Sequence, residues 1–366
     1  MKGSSWKEEP QRFEMDVLSE LTKLQAELES GAYHTSRGSE FILNERGHIR
    51  YIHGGRVRDR VVRHALCDRV LIPAIDKYLT YNNGASQKGK GITFARKMLE
   101  QDLHSYFLET GTNEGYIAFV DFSKFYDNIR HDQVMEIFKP KIDGFSAKLL
   151  EGILRNFEVD VSYMTESEYA SCMGRKYDSL THRGIAEEKL AHEKMMRKSV
   201  DIGDQVSQVI GISYPTRIDN YATIVRGHRR YGRYMDDIYI IHSDREYLKE
   251  TLEDISKEAA KLGLFINERK TRICRLDHTF KYLQIKYFLT DTGKVVRRIN
   301  PQSLTRQRKR LKAYKRLLDK GEMQYSSIEQ AYKSWMGSYY RIMSKKQIRN
   351  MKALYTELFG RDPRWK

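Results

Sequence analysis

Residues 231–241 read Tyr-Gly-Arg-Tyr-Met-Asp-Asp-Ile-Tyr-Ile-Ile, and the fold depends on how this stretch is placed. Ile238–Ile241 are β-branched, aromatic and uncharged, which predicts a buried strand. Tyr231–Met235 is its natural partner, so Asp236 and Asp237 would occupy the tight turn of a hairpin. Successive strand side chains point to opposite faces, so at most one of the two acids points straight into a site. The plain alternative is an Asp-Asp turn at the surface, where Asp is common.

A second acid favours the site. Residues 116–122, Tyr-Ile-Ala-Phe-Val-Asp-Phe, form a short apolar run bounded by Gly115 and Ser123 and ending in Asp121. This pattern predicts a second buried strand. Asp121 would then be either a helix cap or a member of the same site. Side by side, the two strands bring Asp121 near Asp236 and Asp237. Two carboxylates about 4 Å apart repel by roughly 4 kcal/mol at an effective dielectric near 20. Such a cluster needs cations, and oxygen-only ligands favour Mg²⁺ or Mn²⁺. Paired metals clamping attacking and leaving oxygens are the chemistry of polymerases and nucleases.

Tyr-Met-Asp-Asp at 234–237, with Phe-Val-Asp-Phe-Ser-Lys-Phe-Tyr-Asp-Asn-Ile at 119–129, resembles the palm of reverse transcriptases. The bacterial lineages are the most similar: group II intron, retron, diversity-generating and phage-defence enzymes. The resemblance runs from about Arg50 to Tyr287. It implies an α+β right-hand polymerase: fingers over 1–115, a ferredoxin-like palm over 116–290 and a basic helical thumb over 291–366. The implied activity is RNA-directed DNA polymerisation in the cytoplasm. Asp121, Asp236 and Asp237 would hold two Mg²⁺ ions, with Mn²⁺ as a substitute. The implied partners are an RNA template, an RNA/DNA duplex and dNTPs, and no membrane.

Composition agrees. The 366 residues carry a net charge of +16 and are 11% aromatic, which points to a polyanionic partner. From Arg297 to Lys366 there are 19 Lys and Arg against 5 Asp and Glu, so most of the excess lies in the last fifth. Cys67, Cys172 and Cys274 form no C-x-x-C pair, which argues against zinc and fits a reducing cytosol. No apolar run is long enough to span a membrane, and the N-terminus lacks a signal-peptide pattern.

Along the chain, apolar spacing predicts a helix over 13–29, a hairpin of 40–43 with 48–52 around a turn at 44–47, and a helix over 63–79. Arg50, Arg58 and Arg60 are candidate cations for a nucleotide triphosphate. The loop at 81–91 offers Lys88 and Lys90 to template phosphate and lacks the Walker pattern. A helix over about 92–108 follows. Tyr126, five positions after Asp121, matches the family's steric gate against a 2′-hydroxyl, and so argues for deoxynucleotides. Residues 157–200 read as an insertion with a helix near 186–197. It is a candidate site for a structured RNA, an accessory protein or a second copy of the chain.

Gly203, Ser207 and Gln208 resemble the family segment beneath the template–nucleotide pair, with a helix running to about 225. The preceding Ile202 replaces a common Gln, which puts ordinary fidelity in doubt. Residues 247–262 read as an amphipathic helix stopped by Gly263. Lys270 lies in an Asn-x-x-Lys-Thr segment and would protonate or neutralise departing pyrophosphate. Residues 280–288 read as a strand pair resembling the primer grip. In the thumb, Arg308, Arg310, Lys312 and Arg316 surround an apolar helical face, and a second helix falls near 328–343. The competing readings are an idle, maturase-like RNA-binding scaffold and an RNA-synthesising or template-independent nucleotidyl transferase.

Overall fold

The computed structural model describes residues 6–363 except 37, 46, 47, 184, 186, 187 and 189. The helix expected at 13–29 is two helices, α1 (Glu8–Met15) and α2 (Val17–Ser30), because Asp16 leaves the helical region at φ −129°. Phe13 and Leu24 pack with Val57 and Val62. The expected hairpin forms from β1 (Ser39–Glu45) and β2 (His48–Gly54), with Leu43 opposite Arg50. Its turn falls partly outside the described residues. The next helix, α3 (Val57–Leu66), starts six residues before the expected Arg63. It passes through a π-helical turn, Cys67–Leu71, into α4 (Ile72–Ile75). Pro73 explains the change of pitch: it has no N–H to donate, and its ring crowds the carbonyl four residues back.

After the loop at 81–91 come α5 (Ile92–Thr110), β3 (Tyr116–Val120), α6 (His131–Phe138) and α7 (Gly144–Arg155). Residues 157–200, expected as an insertion, hold β4 (Val159–Asp160), α8 (Glu166–Gly174), α9 (Ser179–His182) and β5 (Met195–Met196). Their own small core is Val159, Val161, Met164, Tyr177 and Met196. The helix expected at 186–197 lies partly outside the described residues, and from 190 onward the chain is not helical. The Ser162 hydroxyl accepts from the Glu193 and Lys194 N–H groups, and β5 pairs with β4, so those backbone groups are used elsewhere.

The helix expected up to residue 225 breaks at Pro215 into α10 (Gln205–Ser213) and α11 (Thr216–Asn220), with a π-helical turn at Tyr221–Val225. Then follow β6 (Tyr231–Tyr234), β7 (Asp237–His242), α12 (Arg245–Lys261) and β8 (Arg272–Arg275). α12 is capped by Asp244 and stops at Gly263, whose φ of +73° suits glycine. β6, β7, β3 and β8 form one sheet in that order. Numbered 1 to 4 along the chain as β3, β6, β7 and β8, the strands lie in the order 2-3-1-4, with helices after the first and third, which is the ferredoxin-like plan.

The chain divides into two compact units, Met1–Met98 with Ala118–Ile273, and Leu99–Ile117 with Cys274–Lys366. In the second, β9 (Phe280–Tyr282), β10 (Ile285–Leu289) and β11 (Val295–Ile299) make an antiparallel sheet. Leu283 and Gln284 join β9 to β10 with φ of +41° and +73°, the conformation of a tight hairpin turn. The helices α13 (Pro301–Asp319), α14 (Tyr325–Tyr339) and α15 (Lys345–Phe359) enclose Leu304, Leu311, Ile328, Tyr332, Met336, Met351 and Tyr355. The stretch expected as one helix to 343 ends at Tyr339, and β11 and α15 are further elements.

Candidate active site

The hairpin forms, but its two-residue turn is Met235-Asp236, and Asp237, expected in the turn, opens β7 because it pairs with Tyr234. β6 and β7 are antiparallel, with Tyr234 opposite Asp237 and Gly232 opposite Tyr239. A Cβ at Gly232 would lie 2.5 Å from the Tyr239 ring, so only glycine fits there. Met235 turns the chain with φ +55°. The turn is supported from below by Arg233, whose guanidinium is fully buried. It donates to both oxygens of Asp219, at 2.7 and 2.6 Å, and to the carbonyls of Ile212 at 2.8 Å and Met235 at 3.1 Å. The Tyr231 hydroxyl donates to the same Asp219, at 2.5 Å.

Asp121 follows β3 directly and is fixed through its backbone. Its carbonyl accepts from the Asn267 N–H at 2.7 Å, and its N–H donates to Thr271 Oγ1 at 3.4 Å. This stitches Asp121 to the segment carrying Lys270. The Lys270 ammonium donates to Asp121 Oδ1 at 3.2 Å and lies 3.1 Å from Oδ2. Oδ2 is buried and has no donor aligned on it.

The charge of Asp121 reaches both other acids. Burial raises the Asp236 carboxyl, the nearby Asp121 adds to the rise, and Lys270 and Arg50 oppose it. Burial, then Asp236, then Asp121 push Asp237 up to about 7. Among the described residues, no three acidic, His or Cys side chains are already grouped as a metal-ligand set. The cluster is a set of hard oxygen donors around Lys270, whose ammonium faces the buried Asp121 Oδ2 without an aligned hydrogen bond. Such a donor set suits Mg²⁺ or Mn²⁺, whose charge would favour the ionised carboxylates that burial and their neighbours disfavour at Asp236 and Asp237.

Tyr126 borders the acids. Its hydroxyl lies 3.8 Å from Met235 Sδ, and burial, then the Asp236 charge, push its pKa up to about 12. Gly211 of α10 makes room for it, since a Cβ there would stand 3.1 Å from the hydroxyl. The charge of Arg50 on β2 reaches both Tyr126 and Asp236. Gly203, at φ +104°, lies against Ile52 of β2, and Ile52 bridges to Ile202. Gln208 is exposed on α10 and accepts from the Ser86 hydroxyl at 3.3 Å.

Arg58 and Arg60 sit on α3; Arg58 is paired with Glu27, and Arg60 is exposed. The Lys90 ammonium closes its own loop, donating to the Tyr81 carbonyl and Gln87 Oε1, both at 2.9 Å, above the Tyr81 and Phe94 rings. Lys88 is exposed on the same loop, and Arg308, Arg310 and Lys312 are exposed on α13 with Arg316 near its end.

Sequence reasoning missed the buried pairs. Arg63 is ion-paired with Asp204, which also caps α10 through the Val206 N–H at 2.8 Å. Asp201 stands between His53, at 3.3 Å, and Arg183, at 2.9 Å. The one available signal was Arg233 itself, a charge inside an otherwise apolar strand.

Residues 44–287 match the reverse transcriptase (RNA-dependent DNA polymerase) family. The chain belongs to that family, and both acid-bearing strands fall within the matched span. Among solved structures it is similar to telomerase from Candida albicans in complex with a TWJ fragment of telomeric RNA, at 11% identity and a TM-score of 0.47. That alignment covers 90% of this chain, which spans 60% of the length of the telomerase chain. No curated protein sequence matches. Among the described residues, no helix is long and apolar enough to cross a membrane.

Proposed function

We propose that this chain extends the 3′-hydroxyl of a primer with deoxynucleotides on an RNA template. Asp121 and Asp236 would hold two Mg²⁺ ions, with Asp237 contributing second or in the outer shell and Mn²⁺ as a substitute. The observation that carries the reading is geometric: the sheet sets β3, which leads directly into Asp121, beside β7, which begins at Asp237, so that the charge of Asp121 reaches both Asp236 and Asp237. Bound there, the ions supply positive charge to the attacking and departing oxygens.

The chain's own residues do the rest. Lys270, beside Asp121 and largely exposed, presents an ammonium to departing pyrophosphate. Tyr126 lies under the sugar and excludes a 2′-hydroxyl. Arg50 brings a cation from the β1–β2 hairpin, the proposed fingers, to the triphosphate. Residues 116–290 serve as palm and 291–366 as thumb, with the cations of α13 against the duplex backbone. Gly203 and Gln208 line the template side, with Lys88 beyond them. Ile202 offers the incoming nucleotide no hydrogen bond, consistent with an error-prone bacterial lineage in phage defence or diversity generation, acting in the cytoplasm.

The test is Asp236→Ala. Metal-dependent dNTP incorporation on a primed RNA template is abolished, while circular dichroism and the melting temperature show the fold intact. Undiminished incorporation removes the mechanism. Parallel reactions with rNTPs, and without template, distinguish this activity from RNA synthesis and untemplated transfer.

A further inference from the structure

The insertion at 157–200 encloses the turn that carries Tyr126. Asn128, two residues after Tyr126, is completely buried. Its side-chain oxygen accepts from the Tyr177 N–H at 2.9 Å. Its amide nitrogen donates to the carbonyls of Lys124 at 2.8 Å, Tyr177 at 3.2 Å and Ser123 at 3.3 Å. One side chain therefore ties the turn to the insertion. The Ser179 hydroxyl donates to Asp127 Oδ1 at 2.7 Å, and Asp178 pairs with Lys124 at 3.1 Å.

The far end of the insertion closes the other side. The Val200 N–H donates to the Tyr126 carbonyl at 3.0 Å, and the Ser199 N–H to the Ile129 carbonyl at 2.9 Å. Neighbouring Lys198 is buried, with its ammonium 2.7 Å from the Arg175 carbonyl beyond α8. Tyr177 is itself fixed, stacked on His182 at 5.1 Å with the rings 2° from parallel. The turn thus has little freedom of its own: its backbone is held from both ends of a segment that has its own core.

We infer that this insertion sets the sugar selectivity of the site by fixing the Tyr126 turn, with Asn128 as its principal positioning residue. The inference rests on the reading of Tyr126 as the barrier to a 2′-hydroxyl. A barrier works only if its ring cannot retreat, and displacements near 1 Å are enough to change reaction rates by large factors. Burying an amide is expensive unless its donors are used, and here its two N–H groups are shared among three carbonyls while its oxygen accepts one N–H.

The test compares kcat/KM for rNTP and dNTP on a primed RNA template, with melting temperatures to confirm folding. Tyr126→Val establishes the scale and must raise the rNTP/dNTP ratio. Asn128→Ala is expected to raise that ratio about tenfold with a much smaller loss in dNTP turnover. Ser179→Ala raises it less, and Ser179→Thr, which keeps the hydroxyl, restores it. If Asn128→Ala does not fold, the Ser179 pair decides. A ratio raised by Tyr126→Val but unmoved by the folded Asn128 and Ser179 variants overturns the inference and leaves the barrier standing. A ratio unmoved by Tyr126→Val overturns the barrier and this inference with it.

Discussion

The Lys270 ammonium stands 3.1 Å from Asp121 Oδ2 and 3.2 Å from Oδ1, where a divalent ion would otherwise neutralise that carboxylate. An arriving cation must share or displace it. Lys270→Met therefore binds Mn²⁺ or Mg²⁺ at lower concentration than the wild type, read as the midpoint of metal-dependent thermal stabilisation. The same variant loses polymerase turnover, because the pyrophosphate loses its counter-charge. A midpoint shifted to higher concentration contradicts this prediction.

Arg233 and Asp219 form a fully buried pair with two-point geometry. Breaking such a pair strands a charge. Arg233→Met should cost about 3–5 kcal/mol in urea unfolding. Replacing both partners by apolar residues recovers part of the loss. The double variant still has reduced turnover, because the Met235 carbonyl has lost its donor. A single-variant cost below about 1 kcal/mol would show that Asp219 finds solvent or a proton instead.

These two relationships mark what the sequence discloses. The acid hairpin was legible because Ile238–Ile241 is an unbroken β-branched and aromatic run, and Asp121 because its strand ends abruptly in charge. The insertion was not. Its strands are two residues long, and its order comes from side-chain-to-backbone bonds such as those of Asn128 and Ser162, which leave no periodicity. Arg58 and Lys90 look like free cations in a linear sequence, which hides Glu27 and the Tyr81 carbonyl beside them. Asp16 and Pro215, where helices break, are plain in the sequence, but apolar spacing runs straight through both.

Stability should respond to two buried histidines. Burial is the main cause holding His131 and His228 down at about 4. Above pH 6.5 both are neutral whether folded or unfolded, and their contribution is complete. As pH falls from 6.5 towards 4, the unfolded chain takes up protons that the folded chain refuses, and stability drops by up to about 3 kcal/mol per histidine. Asp237 acts in the opposite direction, so the effect is read as the wild type minus a His131→Asn/His228→Asn variant. That difference shrinks on acidification, and a flat difference excludes the assignment.

The cations of α13 make binding salt-dependent. Replacing Arg308, Arg310, Lys312 and Arg316 with Gln should flatten the slope of log K against log salt by roughly 0.7–0.9 for each phosphate no longer neutralised. Equilibrium titration of an RNA/DNA duplex across salt concentrations measures it. An unchanged slope places the duplex elsewhere.

β7 lies between β6 and β3, so the strands bearing all three acids are interior to one sheet, locked underneath by a sealed guanidinium. Amides in such positions are among the last to exchange with solvent, opening only when the whole unit opens. Heat inactivation of the proposed activity then has no early, local stage: the acid-bearing centre survives until the surrounding unit melts, and the two are lost together.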